Sequence, residues 1–430
     1  MKKLVLTAAL TAALPACAID IQRWRTEDGA AVLLVERHEN PIVDISVAFK
    51  GTGSAADPQG KSGTADFAAA LLTNGTKQLD EEAFNARSED LAIRISSSAD
   101  AEGSSVTLRS LSRAKTLRPA IGLLRDSLAS PRYDGHVFKR TQGQAIIGLK
   151  QQLSSPDFIA ARAASRLNYS GHPYSASAYQ TEQTLRTVTP EDIKAFHRTH
   201  YARNNAVVSI VGDINKQQAE KLVREILRDL PAKNQASATI PPVNPRAAQT
   251  DKQPFAGKQS QILLTMPLIK RDDPDYYALV LGNYVLGGGG FDSRLMKTLR
   301  DEKGYVYGAS SSLTPLRESG PITIGFATEK ANAADALATA KQVLADFIRS
   351  GPTEAELQQA KDNITGSFPL RFDTNSKLLG YLNVIGFYDL PSDWLDQYPK
   401  KITALSTRDV ASAWQRRVKP ENMNVVIVGE

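Results

Sequence analysis

Thr189-Pro-Glu-Asp192 opens a helical stretch that leads to Asn205 and then to Val207-Val-Ser-Ile-Val-Gly212. Ser406-Thr-Arg-Asp409 opens another, leading to Asn422 and then to Asn424-Val-Val-Ile-Val-Gly429. Asp192/Asp409, Asn205/Asn422, Ile210/Ile427, Val211/Val428 and Gly212/Gly429 all match at one offset of 217 residues, without a gap. Each copy reads as an N-capped helix feeding a buried strand. A gap-free run of this kind indicates duplication. The chain is then two related domains of about equal size, spanning 19–230 and 255–430.

Between them, residues 231–254 carry Pro241, Pro242 and Pro245 among Ala, Asn and Gln, the composition of a linker. Fully extended, it reaches roughly 80 Å. Within each half, strand and helix signals mix. Asp28-Gly29 between apolar flanks predicts a hairpin. Val43, Ile45, Val47 and Phe49 alternate, as do Leu91, Ile93 and Ile95, and Ile322, Ile324 and Phe326. Such alternation predicts mainly antiparallel sheets with one buried face. Leu117, Ile121, Leu124 and Leu128 form a helical stripe to cover it, and so do Leu337, Leu344 and Ile348. Thr353-Glu-Ala-Glu356 is a capping box. The expected class is α+β, as two duplicated α/β domains.

The 430 residues are 42% hydrophobic and 23% charged, enough for a sizeable core. Lys2 and Lys3 precede an apolar run, Leu4 to Leu14, too short to span a bilayer but laid out like a secretory signal. Ala16-Cys17-Ala18 offers a small-x-small cleavage pattern, so residues 1–18 are expected to be removed and the mature chain to act in the periplasm. The rival reading is a lipoprotein anchored through Cys17. Pro15, and the lack of a polar tether after the cysteine, count against it. Cys17 is the only cysteine. Cleavage after Ala18 would therefore exclude disulfides, thiolate catalysis and cysteine–zinc sites. No later segment resembles a transmembrane helix. Net charge is +6, or +4 without the two signal lysines. With no long basic block and no aromatic–basic interleaving, the sequence argues against nucleic-acid binding.

Gly51 to Thr76 reads GTGSAADPQGKSGTADFAAALLTNGT. It resembles the signature region of the pitrilysin-type (M16) zinc peptidases: a strand, an Asp-Pro-x-Gly-Lys-x-Gly loop, a helix, then Gly-Thr. In active members that helix carries His-x-x-Glu-His, two zinc ligands on one face and a glutamate that activates water. The matching positions here are Asp66, Ala69 and Ala70. The family's third ligand is a glutamate some 75 residues further on, yet no carboxylate stands between Asp134 and Asp157. A catalytic zinc needs about three protein ligands, so no metal site and no cofactor are expected in this chain. His197-Arg-Thr-His200 has suitable spacing but no accompanying glutamate and reads as a pair of helix-surface histidines. His172-Pro173-Tyr174 matches a structural turn of the family.

The second half keeps more. Leu286-Gly-Gly-Gly-Gly-Phe-Asp-Ser-Arg-Leu295, followed by Leu299-Arg300-Asp-Glu-Lys-Gly304-Tyr305-Val-Tyr307, resembles the family's C-terminal motif. There an arginine and a tyrosine seven residues apart face the zinc site of the opposing half. The resemblance implies that role for Arg300 and Tyr307. The bland alternative is an ion-paired Arg300 at a helix end and a Tyr307 packed in a strand. Gly287 to Gly290 lacks a Gly-Lys-Ser/Thr ending and reads as close backbone approach, not a phosphate loop.

The resemblance implies the pitrilysin/LuxS-like metallohydrolase fold, half of a clam-shell. It also implies a heterodimer: a zinc-bearing homologue as partner, peptides as substrates, and Arg300 and Tyr307 lent to the partner's zinc site. A peptide-binding or scaffolding protein without an enzymatic partner is the alternative.

Overall fold

The computed structural model describes residues 19–236 and 239–430. The expected signal segment 1–18, with Cys17, lies outside the described residues. Among those described, no helix is long and apolar enough to cross a membrane.

Two sheets organise the chain. The first contains β1 (Gln22–Arg25), β2 (Ala31–Glu36), β3 (Ile42–Lys50), β4 (Arg94–Ala99), β5 (Gly103–Leu111) and β6 (Ala206–Gly212), in the order β1-β2-β6-β3-β5-β4. The second contains β7 (Thr250–Gln253), β8 (Gln259–Ile269), β9 (Val306–Leu313), β10 (Gly320–Glu329) and β11 (Asn424–Val428), in the order β7-β11-β8-β10-β9. Leaving out β1, the two orders superimpose. The parallel pair is the equivalent one in each sheet, β2 with β6 and β7 with β11. The class is mixed α+β.

The likeness extends to single residues. Thr189 and Ser406 each cap a helix, Pro190–His200 and Thr407–Arg417, through reciprocal bonds with Asp192 and Asp409. Gly212 and Gly429 stand at the ends of their strands with φ of +141° and +103°. A Cβ there would meet the carbonyl oxygen of Ile42 at 2.1 Å or of Gln259 at 2.6 Å. Ile42 and Gln259 are themselves 217 apart. The same tight crossing recurs in both halves, and only glycine fits it.

One face of the first sheet packs on its own helices. Leu117, Ile121, Leu124 and Leu128 of Ala114–Ala129 bury against Val32, Leu34, Val43 and Ile45. In the second half, Ala333–Ser350 covers the sheet with Ala336, Ala340, Val343, Leu344 and Phe347, while Leu337 and Ile348 lie at the margin of that stripe.

The expectation of one buried face holds along β10, where Ile322, Ile324 and Phe326 are buried and their neighbours are half-buried, but it fails at the centre of the first sheet. All seven interior residues of β3 are buried, and so is every residue of β6. The opposite face of the first sheet carries Leu33, Ala48 and Val207, and it packs with Leu379, Leu382 and Ile385 of helix Asn375–Phe387 from the second half. Gly386 of that helix leaves no room for a Cβ, which would come within 2.6 Å of Val207 and Leu33 side-chain atoms. Reciprocally, Ala160, Ala163 and Ala164 of helix Pro156–Asn168 cover Val426 and Val428 of the second sheet. Each half lends the other a helix. Polar bonds fix the register at depth: Asn168 Nδ2 donates to Thr265 Oγ1 and Asn424 Nδ2 to Asn168 Oδ1, both at 2.9 Å. Buried polar groups that find partners in this way specify one arrangement of the halves.

The tip between β4 and β5 adds a further tie. Buried Glu102 accepts from Tyr388 Oη at 2.6 Å, from the backbone N–H of Arg317 at 3.0 Å, and from Tyr174 Oη. Tyr174 of the His-Pro-Tyr turn, whose Oη also accepts from the backbone N–H of Glu318 at 2.9 Å, is thus a strut between halves.

Two sequence expectations need local correction. The Leu91–Ile95 alternation crosses a helix end: Glu81–Asp90 is helical, Ala92 adopts φ +49°, and the strand starts at Arg94. The segment 231–254 is not all linker either. Its final residues Thr250–Gln253 form β7, paired parallel with β11. Its start is tied to the first half, where Arg203 N–H donates to the Pro231 carbonyl at 2.9 Å and His172 Nε2 meets the Pro241 carbonyl at 2.8 Å.

Candidate functional site

The loop before the signature helix keeps its architecture. Asp57 accepts from the backbone N–H groups of Gly63 and Ala65, both at 2.7 Å, at the start of helix Thr64–Ala70. Burial pushes its carboxyl up to about 7 in spite of those two donors, and the nearby Asp66 adds to the rise. Lys61 pairs with Asp192, and Ser62 Oγ donates to the Ala176 carbonyl at 2.8 Å. Gly63 takes φ +103°. The Asp, Lys and Gly of the motif therefore have structural tasks that outlast any metal.

On the helix itself, Asp66 and Ala70 lie four apart on an exposed face, while Ala69 is buried. Asp66 accepts from Gln180 Nε2 at 2.9 Å. The surrounding protein raises its carboxyl above the ordinary range, and that amide opposes the rise. Asp66 lines a cavity of about 250 Å³ whose other wall comes from helix Gly135–Gln152, through Ala145, Gly148, Leu149 and Gln152. Ala145 stands 75 residues past Ala70, where the family's third ligand is expected. The wall offers methyl groups and an amide in place of a carboxylate. Among the described residues, no three His, Cys, Asp or Glu side chains converge as a metal site. A zinc ion does not fit this helix: one carboxylate cannot supply the three or so ligands it requires.

His197 and His200 are not the surface pair that their spacing suggests. His197 is largely enclosed, with Nε2 meeting the Leu128 carbonyl at 2.7 Å and its ring against Tyr133 and Tyr201. Burial lowers its pKa to about 4. His200 stacks on Phe196 and bonds that residue's carbonyl.

In the second half, two π-helical turns, Tyr284–Gly288 and Lys297–Glu302, bracket the glycine-rich turn. Such widened turns recur at functional sites. Gly287 packs so closely on β9 that a Cβ would lie 2.5 Å from the backbone nitrogen of Ser311, which agrees with a close-approach role. Arg300 lies on the second π turn, and Tyr307 on β9 just beyond the connection 303–305, where Gly304 has φ +65°. Tyr307 is 90% exposed, so it is no core residue.

Two arginines six residues apart behave oppositely. Arg294 forks onto Glu356, Nε to Oε1 at 2.8 Å and Nη2 to Oε2 at 2.7 Å. Burial works to raise the Glu356 carboxyl, but the fork outweighs it and holds it at about 2. Arg300 has no carboxylate partner among the described residues; its guanidinium carbon lies 4.8 Å from the Phe291 ring centroid. No hydrogen bond joins Arg300 to Tyr307 there either. Sequence reading missed Phe291, Asp57 and the π turns. The loop motif could have signalled Asp57; a π turn has no composition signature.

A duplicated α+β scaffold, with a signature helix that lacks a zinc ligand set in one half and, in the other, an exposed tyrosine and an arginine without a carboxylate partner among the described residues, defines a class of metallopeptidase homologue. Comparison with known proteins agrees. The family model described as "Insulinase (Peptidase family M16)" matches residues 31–182, and "Peptidase M16 inactive domain" matches residues 187–364. The crystal structure of a peptidase M16 inactive domain from Pseudomonas fluorescens is 30% identical, with a TM-score of 0.91 over 96% of this chain and 98% of that one. "Non-peptidase homolog YmxG" of Helicobacter pylori is 26% identical over 92% of this chain and 91% of its own. The periplasmic protease PqqL of Escherichia coli shares the fold at 17% identity and a TM-score of 0.81, over all of this chain and 48% of PqqL. The chain belongs to peptidase family M16.

Proposed function

We propose that this chain is the zinc-free subunit of a heterodimeric periplasmic M16 peptidase, lending Arg300 and Tyr307 to a zinc-bearing homologue that cleaves peptides. The observation that carries the reading is the contrast within one molecule: a helix without metal ligands, beside an arginine with no carboxylate partner among the described residues and a tyrosine 90% exposed. A guanidinium without an ion pair among the described residues and an exposed phenol are ready to bind something outside the chain. Peptide hydrolysis develops negative charge on the scissile carbonyl oxygen, and fixed N–H and O–H donors stabilise it. That PqqL contains this fold in about half its length is in keeping with a pair of such halves forming one enzyme.

The test is to purify this chain and the exported His-x-x-Glu-His homologue of the same organism, then assay each alone and mixed on an internally quenched peptide. The mixture should cleave and this chain alone should not. A zinc-bearing partner fully active by itself would refute the reading. Peptide binding by this chain, with no homologue co-purifying, would favour the scaffolding alternative.

A further inference from the structure

Phe291 occupies the tip of the glycine-rich turn and is 69% exposed, so it contributes little to the core. Its turn is nonetheless held from several sides. Ser293 Oγ donates to the Gly290 carbonyl at 2.7 Å, and Gln359 Nε2 donates to Asp292 Oδ2 at 2.9 Å. Gly290, at φ +64°, makes the bend. A fixed and exposed aromatic ring therefore lies against the Arg300 guanidinium, centroid to carbon 4.8 Å.

The geometry of a guanidinium makes this contact informative. A ring attracts the flat face of the ion through its quadrupole, whereas carbonyls and carboxylates bind the in-plane N–H groups. Arg294 makes both kinds of contact together: its guanidinium carbon lies 5.2 Å from the Phe347 ring centroid and its N–H groups are taken by Glu356. At Arg300 the guanidinium makes the ring contact and, among the described residues, no ion pair.

We propose that Phe291 is the positioning residue for Arg300, holding the guanidinium by its face and keeping the edge donors for a peptide carbonyl or carboxylate. This rests on the function proposed above and names a further residue of the same site.

The experiment uses the mixed subunits and an internally quenched peptide. Phe291→Leu keeps bulk but removes the quadrupole, and should lower kcat about two- to five-fold, the range of an exposed cation–π contact. Phe291→Tyr and Phe291→Trp should restore it. In an Arg300→Ala background, Phe291→Leu should add nothing, since two residues acting through one group are not additive. Independently of any partner, the Arg300 Nε–H resonance should carry a ring-current shift that Phe291→Leu removes. Full activity of Phe291→Leu, or an undiminished further loss in the Arg300→Ala background, overturns the inference and leaves the function standing. No effect of Arg300→Ala overturns the function; the resonance then decides alone whether the ring holds the guanidinium.

Discussion

The helix Thr64–Ala70 and the turn Lys297–Glu302 lie in related halves, yet they have diverged in opposite directions. In the first, Asp57, Lys61 and Gly63 still brace the helix, while the positions that would perform chemistry are Asp66, Ala69 and Ala70. In the second, the bracing falls to Arg294 and Glu356, and the neighbouring Arg300 is free of ion pairs among the described residues. Scaffold and chemistry are thus carried by different side chains, and one can be lost without the other.

The largest effect expected from this contrast is on turnover. Arg300→Ala and Tyr307→Phe should each cost the mixed peptidase roughly 10²–10³ in kcat, with unchanged circular dichroism and melting temperature, because neither is part of the core. Equal activity of the variants would erase the contrast.

A smaller effect tests the duplicated strand ends. Gly212→Ala and Gly429→Ala both place a Cβ against a carbonyl oxygen at positive φ. Strain of this kind costs about 1–3 kcal/mol. Urea unfolding should show the larger loss at Gly212, where the clash is closer.

Next comes a pair that breaks the symmetry. His197 corresponds at the 217 offset to Trp414, which is fully buried and does not titrate. Burial depresses His197 to about 4. Between pH 6.5 and 4 the unfolded chain therefore takes up a proton that the folded chain refuses. Stability is complete above 6.5 and is lost as pH falls through that window, by on the order of 2–3 kcal/mol. Thermal melts of His197→Gln, compared with the parent from pH 7 to 4, should show a flatter slope. His38, raised by its bond to Asp213, acts in the opposite sense and is present in both proteins.

The smallest effect concerns the vestigial position. Asp66→Ala removes an exposed carboxyl that the protein disfavours in its charged form, and should shift stability by less than about 0.5 kcal/mol. Zinc analysis by mass spectrometry should read the same before and after.

The repeat was legible because its markers are local: capping boxes at Thr189 and Ser406, and glycines closing two strands. The emptied motif was legible because spacing along a helix fixes which residues share a face. Other features were not. Nothing near Asn375–Phe387 says that it will cover the other half's sheet, since that contact joins residues more than 300 apart, as Asn383 to Ser46 does. His197 read as a surface residue because its enclosure depends on Leu128 and Tyr133, far away in sequence. Leu91 and Ile93 alternate like a strand, but the helix end and the positive φ of Ala92 separate them from it. Phe291 carried no signal in the sequence beyond its place in the glycine-rich motif, and its significance comes from the placement of Arg300 beside it.

The lent helices bear on how the polypeptide is made. A ribosome that has finished β6 has yet to produce Asn375–Phe387, so Leu33, Ala48 and Val207 must wait, bare and greasy, while four of the second sheet's five strands, β7 to β10, are synthesised. Truncation between the halves would leave that waiting permanent. Fragments ending near residue 230 should accordingly cling to holdase chaperones or precipitate, and supplying the missing half in trans should rescue them.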